Sequence, residues 1–166
     1  SSEGGNPTDH LTMVAFTRML AGPIDYTPGI FNLTMEPYKP DNRVKHTLAH
    51  ELALYVVIYS PLQMMADLPE HATGQPGMQW VRDVAVDWEQ TKVLNGEPGD
   101  YVTIARQERG GNRWFIGAIT DENPRDIRML KRRIGTPTPP PWRSKNARYK
   151  AETFLICSWS LAGVRH

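Results

Sequence analysis

The run Asn42–Ser60, NRVKHTLAHELALYVVIYS, constrains this chain more than any other feature. Val44, Leu48, Leu52, Tyr55 and Tyr59 recur at helical spacing, and Asp41 or Asn42 is placed to cap the start. The second half, LALYVVIY, is apolar around nearly the whole circumference, which calls for burial on more than one side. Any fold that accommodates it must bring other elements against both faces of a single helix.

Upstream, residues 11–22 form an apolar segment ended by Gly22-Pro23, and Pro23, Pro28 and Gly29 impose a loop around Asp25 and Tyr26. Residues 30–35 (IFNLTM) read as a short strand, and Pro61 opens a second short helix through Met65. After a helical or irregular bridge at Gln79–Val86 the apolar period shifts to two. TKVLNG, YVTIARQE and RWFIGAIT read as strands, with turns at Asn95-Gly96 and Gly110-Gly111, and the last two predict a hairpin. A helical block is thus followed by an antiparallel block, with the boundary near 76–86.

The net charge of +1 hides a division: residues 1–124 carry a net −7 and residues 125–166 a net +8. A basic, proline-rich tail of this kind reads as disordered, as a nucleic-acid contact, or, with Trp142, as a peptide ligand. Cys157 is the single cysteine, which rules out an internal disulfide and a cysteine metal cage. No apolar run reaches membrane-spanning length, so no membrane partner is expected.

Two groups invite chemistry. His46, His50 and Glu51 suggest zinc, but the zinc-protease pattern needs Glu directly after the first His, so an ordinary amphipathic helix is the better reading. Glu3 and Asp9 flank a Gly-Gly-Asn-Pro turn. Two acids so placed can converge on a hard cation, can protonate a leaving oxygen in sugar chemistry, or can be solvated turn acids. Their spacing does not separate these readings.

The blocks FTRMLAGPIDYTPGIF, LALYVVIYSPLQMMADLPE and VDWEQTKVLNGEPGDYVTIARQERGGNRWFIGAITDENPR closely resemble glycoside hydrolase family 97, bacterial α-glucosidases and α-galactosidases of the starch-utilisation type. The resemblance runs over roughly residues 1–127. It implies an α/β chain comprising the C-terminal part of a (β/α)8 barrel (1–78) and the start of an incomplete antiparallel β-sandwich domain (79–127). On the residues that match, it makes Glu3 a calcium ligand and Asp9 both a calcium ligand and the catalytic general acid. Family members carry Glu where Asp9 stands, so the acid here is one methylene, about 1.5 Å, shorter. The resemblance further implies Ca2+ as cofactor, an α-linked oligosaccharide as substrate and a periplasmic location. The other catalytic acids lie upstream, so this segment alone is expected to be inactive and to leave much of its central helix exposed.

Residues 128–166 depart from the family. Codons can be chosen for Arg133–Arg148 that, read one nucleotide out of register, spell the family-like Ala-Asp-Trp-Asp-Thr-Asn-Pro. The tail is therefore expected to be a frameshifted, disordered remnant with no nucleic-acid partner, a matter the coding DNA decides. The competing function is a non-catalytic interaction module built on hairpins 86–120 with a basic disordered tail.

Overall fold

The computed structural model describes residues 6–34, 39, 41–123 and 125, together with the backbone of Cys157–Ser160. The described elements are α1 (Thr8–Phe16), a 3-10 turn (Arg18–Ala21), α2 (Leu48–Val57), α3 (Pro69–Ala72), α4 (Gly77–Asp83), β1 (Trp88–Glu97), β2 (Tyr101–Glu108), β3 (Arg113–Thr120) and β4 (Cys157–Ser160).

Helix α2 is the centre of the molecule, although it is shorter than its apolar period suggests. Thr47, not Asp41 or Asn42, is its N-cap: the hydroxyl accepts from the His50 N–H at 3.2 Å. Ile58 turns extended at the other end, ahead of Pro61. Every residue from His50 to Val57 is buried. Ala53, Leu54, Val57 and Ile58 pack with Leu11, Val102, Ile104 and Ile119 on one side. Leu52, Tyr55 and Val56 pack with Phe31, Ala72, Val84, Trp88 and Phe115 on another. Each of the Val, Leu, Ile and Phe side chains among these contributes about 1.5–3 kcal/mol on leaving water. The expectation of an exposed central helix is therefore corrected: the antiparallel sheet and the segments around Phe31 and α4 enclose it.

The strands form one antiparallel sheet in the order β1-β2-β3-β4. In the β2–β3 hairpin Val102 faces Ile119, Ile104 faces Gly117 and Arg106 faces Phe115. These six positions share one face by strand alternation, and that face receives α2. On the opposite face Ala105, Trp114 and Ile116 form a smaller cluster with Leu94. Burial on both faces explains the almost continuous apolar run WFIGAI in β3. Gly117 sits where a Cβ would lie 2.8 Å from the Ala53 carbonyl oxygen and 2.9 Å from Val56 Cβ, so its lack of a side chain sets the approach of helix to sheet.

Several local expectations shift. β2 and β3 match their predicted spans, and Gly110, at φ +70°, makes the turn between them. Asn95-Gly96 does not turn. Both pair within β1, at an irregularity between Val93 and Asn95, and Gly99 at φ +86° supplies the reversal. Gly96 admits the Phe16 ring of α1, which lies where its Cβ would be. Residues 61–65 are not helical. The strand expected at 30–35 reduces to a single bridge, Thr34 to Arg43.

Among the described residues the barrel portion is absent, and this corrects the expected fold class. A barrel strand takes its hydrogen bonds from neighbouring strands. Here the extended segment 24–32 instead gives its N–H groups to the Tyr59 carbonyl and to side-chain carboxylates of Glu51 and Asp67. No ladder forms, and what is present is an antiparallel sheet with helices. Of the tail 128–166 the structure describes only β4, whose backbone pairs Cys157–Ser160 with Ile116–Arg113 of β3. The rest, including Trp142, lies outside the described residues.

Candidate active site

Asp9 lies exposed in the first turn of α1, and its carboxylate accepts the His10 N–H at 2.8 Å. Thr12 donates to the Asp9 carbonyl at 2.7 Å. Leu11, two residues on, is buried in the core, which fixes the helix on which Asp9 stands. Glu3 lies outside the described residues. Among the described residues no cluster of three or more His, Cys, Asp or Glu has the arrangement of a metal site.

Behind this loop lies a buried polar group. Burial, then the nearby Glu51 charge, raises the Tyr26 hydroxyl pKa against the smaller opposing influence of Asn6, three residues before Asp9. Glu51, 3% exposed, extends from α2 to accept Gly29 N–H at 2.7 Å and Ile30 N–H at 3.1 Å on one carboxylate oxygen. Its other oxygen stands 3.1 Å from His46 Nδ1. Burial raises the Glu51 pKa against the opposing backbone bonds. Burial also lowers His46 to about 4 and, with the added charge of His46, His50 to about 3.

His46, His50 and Glu51 do not form a zinc site. His46 precedes the N-cap Thr47, so the two histidines do not share a helical face; their rings meet edge to face at 4.5 Å. Glu51 is engaged with the backbone of another segment. Nothing in the sequence pattern connects Glu51 with Gly29, because a contact across 22 positions has no periodic signal. Asp67 was missed altogether. The one legible hint was the Pro28-Gly29 pair, since Gly29 has φ +90° and any side chain on it would collide with the Tyr55 hydroxyl.

Comparison with known proteins follows this geometry. Residues 87–132 match the family described as "Glycosyl-hydrolase 97 C-terminal, oligomerisation". A retaining alpha-galactosidase of Bacteroides thetaiotaomicron is 34% identical over 134 residues, covering 78% of this chain and 20% of that protein. A probable retaining alpha-galactosidase of Streptomyces bingchenggensis is 34% identical over 113 residues, covering 68% of this chain and 16% of that protein. A glycoside hydrolase family 97 enzyme from Pseudoalteromonas sp., solved in complex with acarbose, is 49% identical with a TM-score of 0.69, over 76% of this chain and 20% of that one. A variant of that enzyme solved with panose matches equally. The chain therefore spans about a fifth of the length of these relatives.

Proposed function

The chain belongs to glycoside hydrolase family 97, of which it carries the C-terminal region, and from that premise we propose that it serves in hydrolysis of α-glucosidic or α-galactosidic bonds. The observation that carries the reading is the 49% identity, at a TM-score of 0.69, to an enzyme solved with acarbose and with panose. Both are α-linked oligosaccharides or mimics of them, and an α-linked oligosaccharide is the substrate class we propose here. In this reading the remaining catalytic carboxylates lie on polypeptide outside this chain, and the segment alone is expected to be inactive.

In this reading Asp9 is the general acid. Its carboxyl donates a proton to the glycosidic oxygen as the bond to the anomeric carbon breaks, while a carboxylate outside this chain serves as base or nucleophile. The exposed position of Asp9 at the start of α1 supports the role, since the group has to meet a substrate. Asp9 and Glu3 would together hold calcium. Carboxylate oxygens are the donors that a hard cation takes, and two of them leave most of its six to eight positions to other residues. Bound there, calcium would supply positive charge to an acidic site.

The test uses the longer protein that carries this segment. Asp9→Ala is expected to lower kcat on α-glycosides by about a hundredfold or more. Asp9→Glu, which restores the lost methylene, is expected to hold or raise it. An Asp9→Ala enzyme with unchanged turnover removes Asp9 from the mechanism.

The matched family is described by oligomerisation, and as a second role we propose self-association through the sheet. β1 is an edge strand with largely exposed side chains, Val93 among them at 51%. Sedimentation of the chain against a Val93→Lys variant tests it. Loss of the oligomer is expected, and a monomeric starting chain defeats it.

A further inference from the structure

Helix α1, which carries Asp9, is seated on the end of the sheet through two glycines. Gly96 of β1 pairs with Val102 of β2, and Val102 with Ile119 of β3, so the three form one row on the face that receives α2. Leu11 shares a core cluster with Val102 and Ile119, and Phe16 packs against it. At Gly96 the row has no side chain, and the Phe16 ring takes the place. A Cβ there would stand 2.5 Å from the ring's far carbon and 3.1 Å from the Tyr101 carbonyl oxygen. In the turn between β1 and β2, a Cβ on Gly99 would lie 3.5 Å from the Met13 methyl. Asp9, Met13 and Phe16 follow one another at i, i+4 and i+7, along one stripe of α1. The stripe rests its C-terminal end on Gly96 and Gly99 and carries the carboxylate at its other end.

The same corner of the sheet holds the start of the helix. The Thr8 hydroxyl donates to the Glu122 carboxylate at 3.4 Å. Arg125 bridges Asp100, next to Gly99, and Asp121, just after β3, at 2.9 Å each. Asp121 N–H also donates to the Asp100 carbonyl at 2.7 Å, which closes the turn and the end of β3 into one unit. We propose that Gly96 is a positioning residue for Asp9, acting through Phe16 and the axis of α1; the catalytic consequence rests on the reading of Asp9 as the acid. Gly96 touches neither substrate nor Asp9. Leu11 and Thr12 are buried, and the Thr12 hydroxyl holds the Asp9 carbonyl at 2.7 Å, so the helix moves as a body when its Phe16 end is displaced. A side chain at position 96 lifts that end and tilts the one that bears the acid.

Gly96→Ala, alone and combined with Phe16→Leu, separates this from general damage. Leucine stops short of the ring's far carbon and leaves room for the added methyl. Amide hydrogen exchange on the chain as it stands reads the seat, with Leu11 N–H, bonded to the Pro7 carbonyl at 3.2 Å, as reporter. Gly96→Ala is expected to speed its exchange about tenfold with the β3 amides unchanged, and the double variant to restore most of the protection. An unchanged reporter in Gly96→Ala, or a double variant no better protected than the single, overturns the proposal. In the longer protein the leaving group supplies the second readout. An α-linked disaccharide needs its glycosidic oxygen protonated, whereas nitrophenolate departs without a proton. Gly96→Ala is expected to lower kcat/KM on the disaccharide about tenfold and to leave that on the nitrophenyl α-glycoside unchanged. Equal losses on both substrates also overturn the proposal. Should Asp9→Ala leave turnover of the disaccharide unchanged, the acid reading fails, while the exchange result still decides whether Gly96 seats α1.

Discussion

Arg106 offers the sharpest test of how the helical and antiparallel blocks are joined. It is 5% exposed, and no carboxylate pairs with it among the described residues. Its guanidinium donates to the Val56 carbonyl at 2.7 Å, the Val57 carbonyl at 3.2 Å and the Thr91 hydroxyl at 2.9 Å. The two carbonyls end α2, where backbone acceptors have no partner within the helix and the dipole favours a cation. The rings of Tyr59 and Trp88 lie 5.5 and 6.0 Å from its central carbon. Burial pulls its pKa down to about 10, a penalty of about 3 kcal/mol for keeping the charge. Against it stand three charge-assisted bonds of about 1.5–3 kcal/mol each and two carbonyls that would otherwise be buried unpaired. The bonds win by about 1.5–6 kcal/mol. Arg106→Met, which fills most of the volume, should therefore destabilise the chain by about that amount in urea unfolding followed by tryptophan fluorescence. Arg106→Lys, with one point charge in place of a fork, should fall between. A Met variant as stable as the parent would refute this accounting and would make the buried guanidinium a net liability.

Two other outcomes follow from the same packing. Gly117→Ala places a methyl against the Ala53 carbonyl and Val56, and overpacking of about 1–3 kcal/mol should outweigh the roughly 0.5–1 kcal/mol gained by removing a strand glycine. A net loss near 1–2 kcal/mol in the same unfolding assay is expected, and a stabilised variant would mean that helix and sheet lie farther apart. His50, with its pKa lowered to about 3, stays neutral in the folded chain while the unfolded chain takes up a proton from about pH 6.5 downward. Stability is then complete above that value and falls with acid, by about 2 kcal/mol between pH 7 and pH 5. Comparing the pH slope with that of His50→Leu isolates this effect from Glu51, whose raised pKa acts in the opposite sense. Identical slopes would show that His50 titrates normally.

Local pattern made much of this protein legible before any coordinates. The alternation of YVTIARQE and RWFIGAIT around a Gly-Gly turn is a two-residue period, and both strands form with those bounds. The all-round apolar run at Leu52–Tyr59 called for a helix buried on several sides, and α2 is packed on two. The family resemblance, read over roughly residues 1–127, was likewise contained in the order of side chains, and the family match covers 87–132. What covers α2 was decided only in three dimensions. Periodicity says that an apolar face must be met, yet not by what: barrel strands were expected, and the hairpin meets it through Gly117 and Arg106. The pairing of Glu51 and Asp67 with the amides of residues 29–32 was equally out of reach. Each bond spans more than twenty positions, and a buried carboxylate on a helix looks in sequence like a solvated one until the chain closes over it.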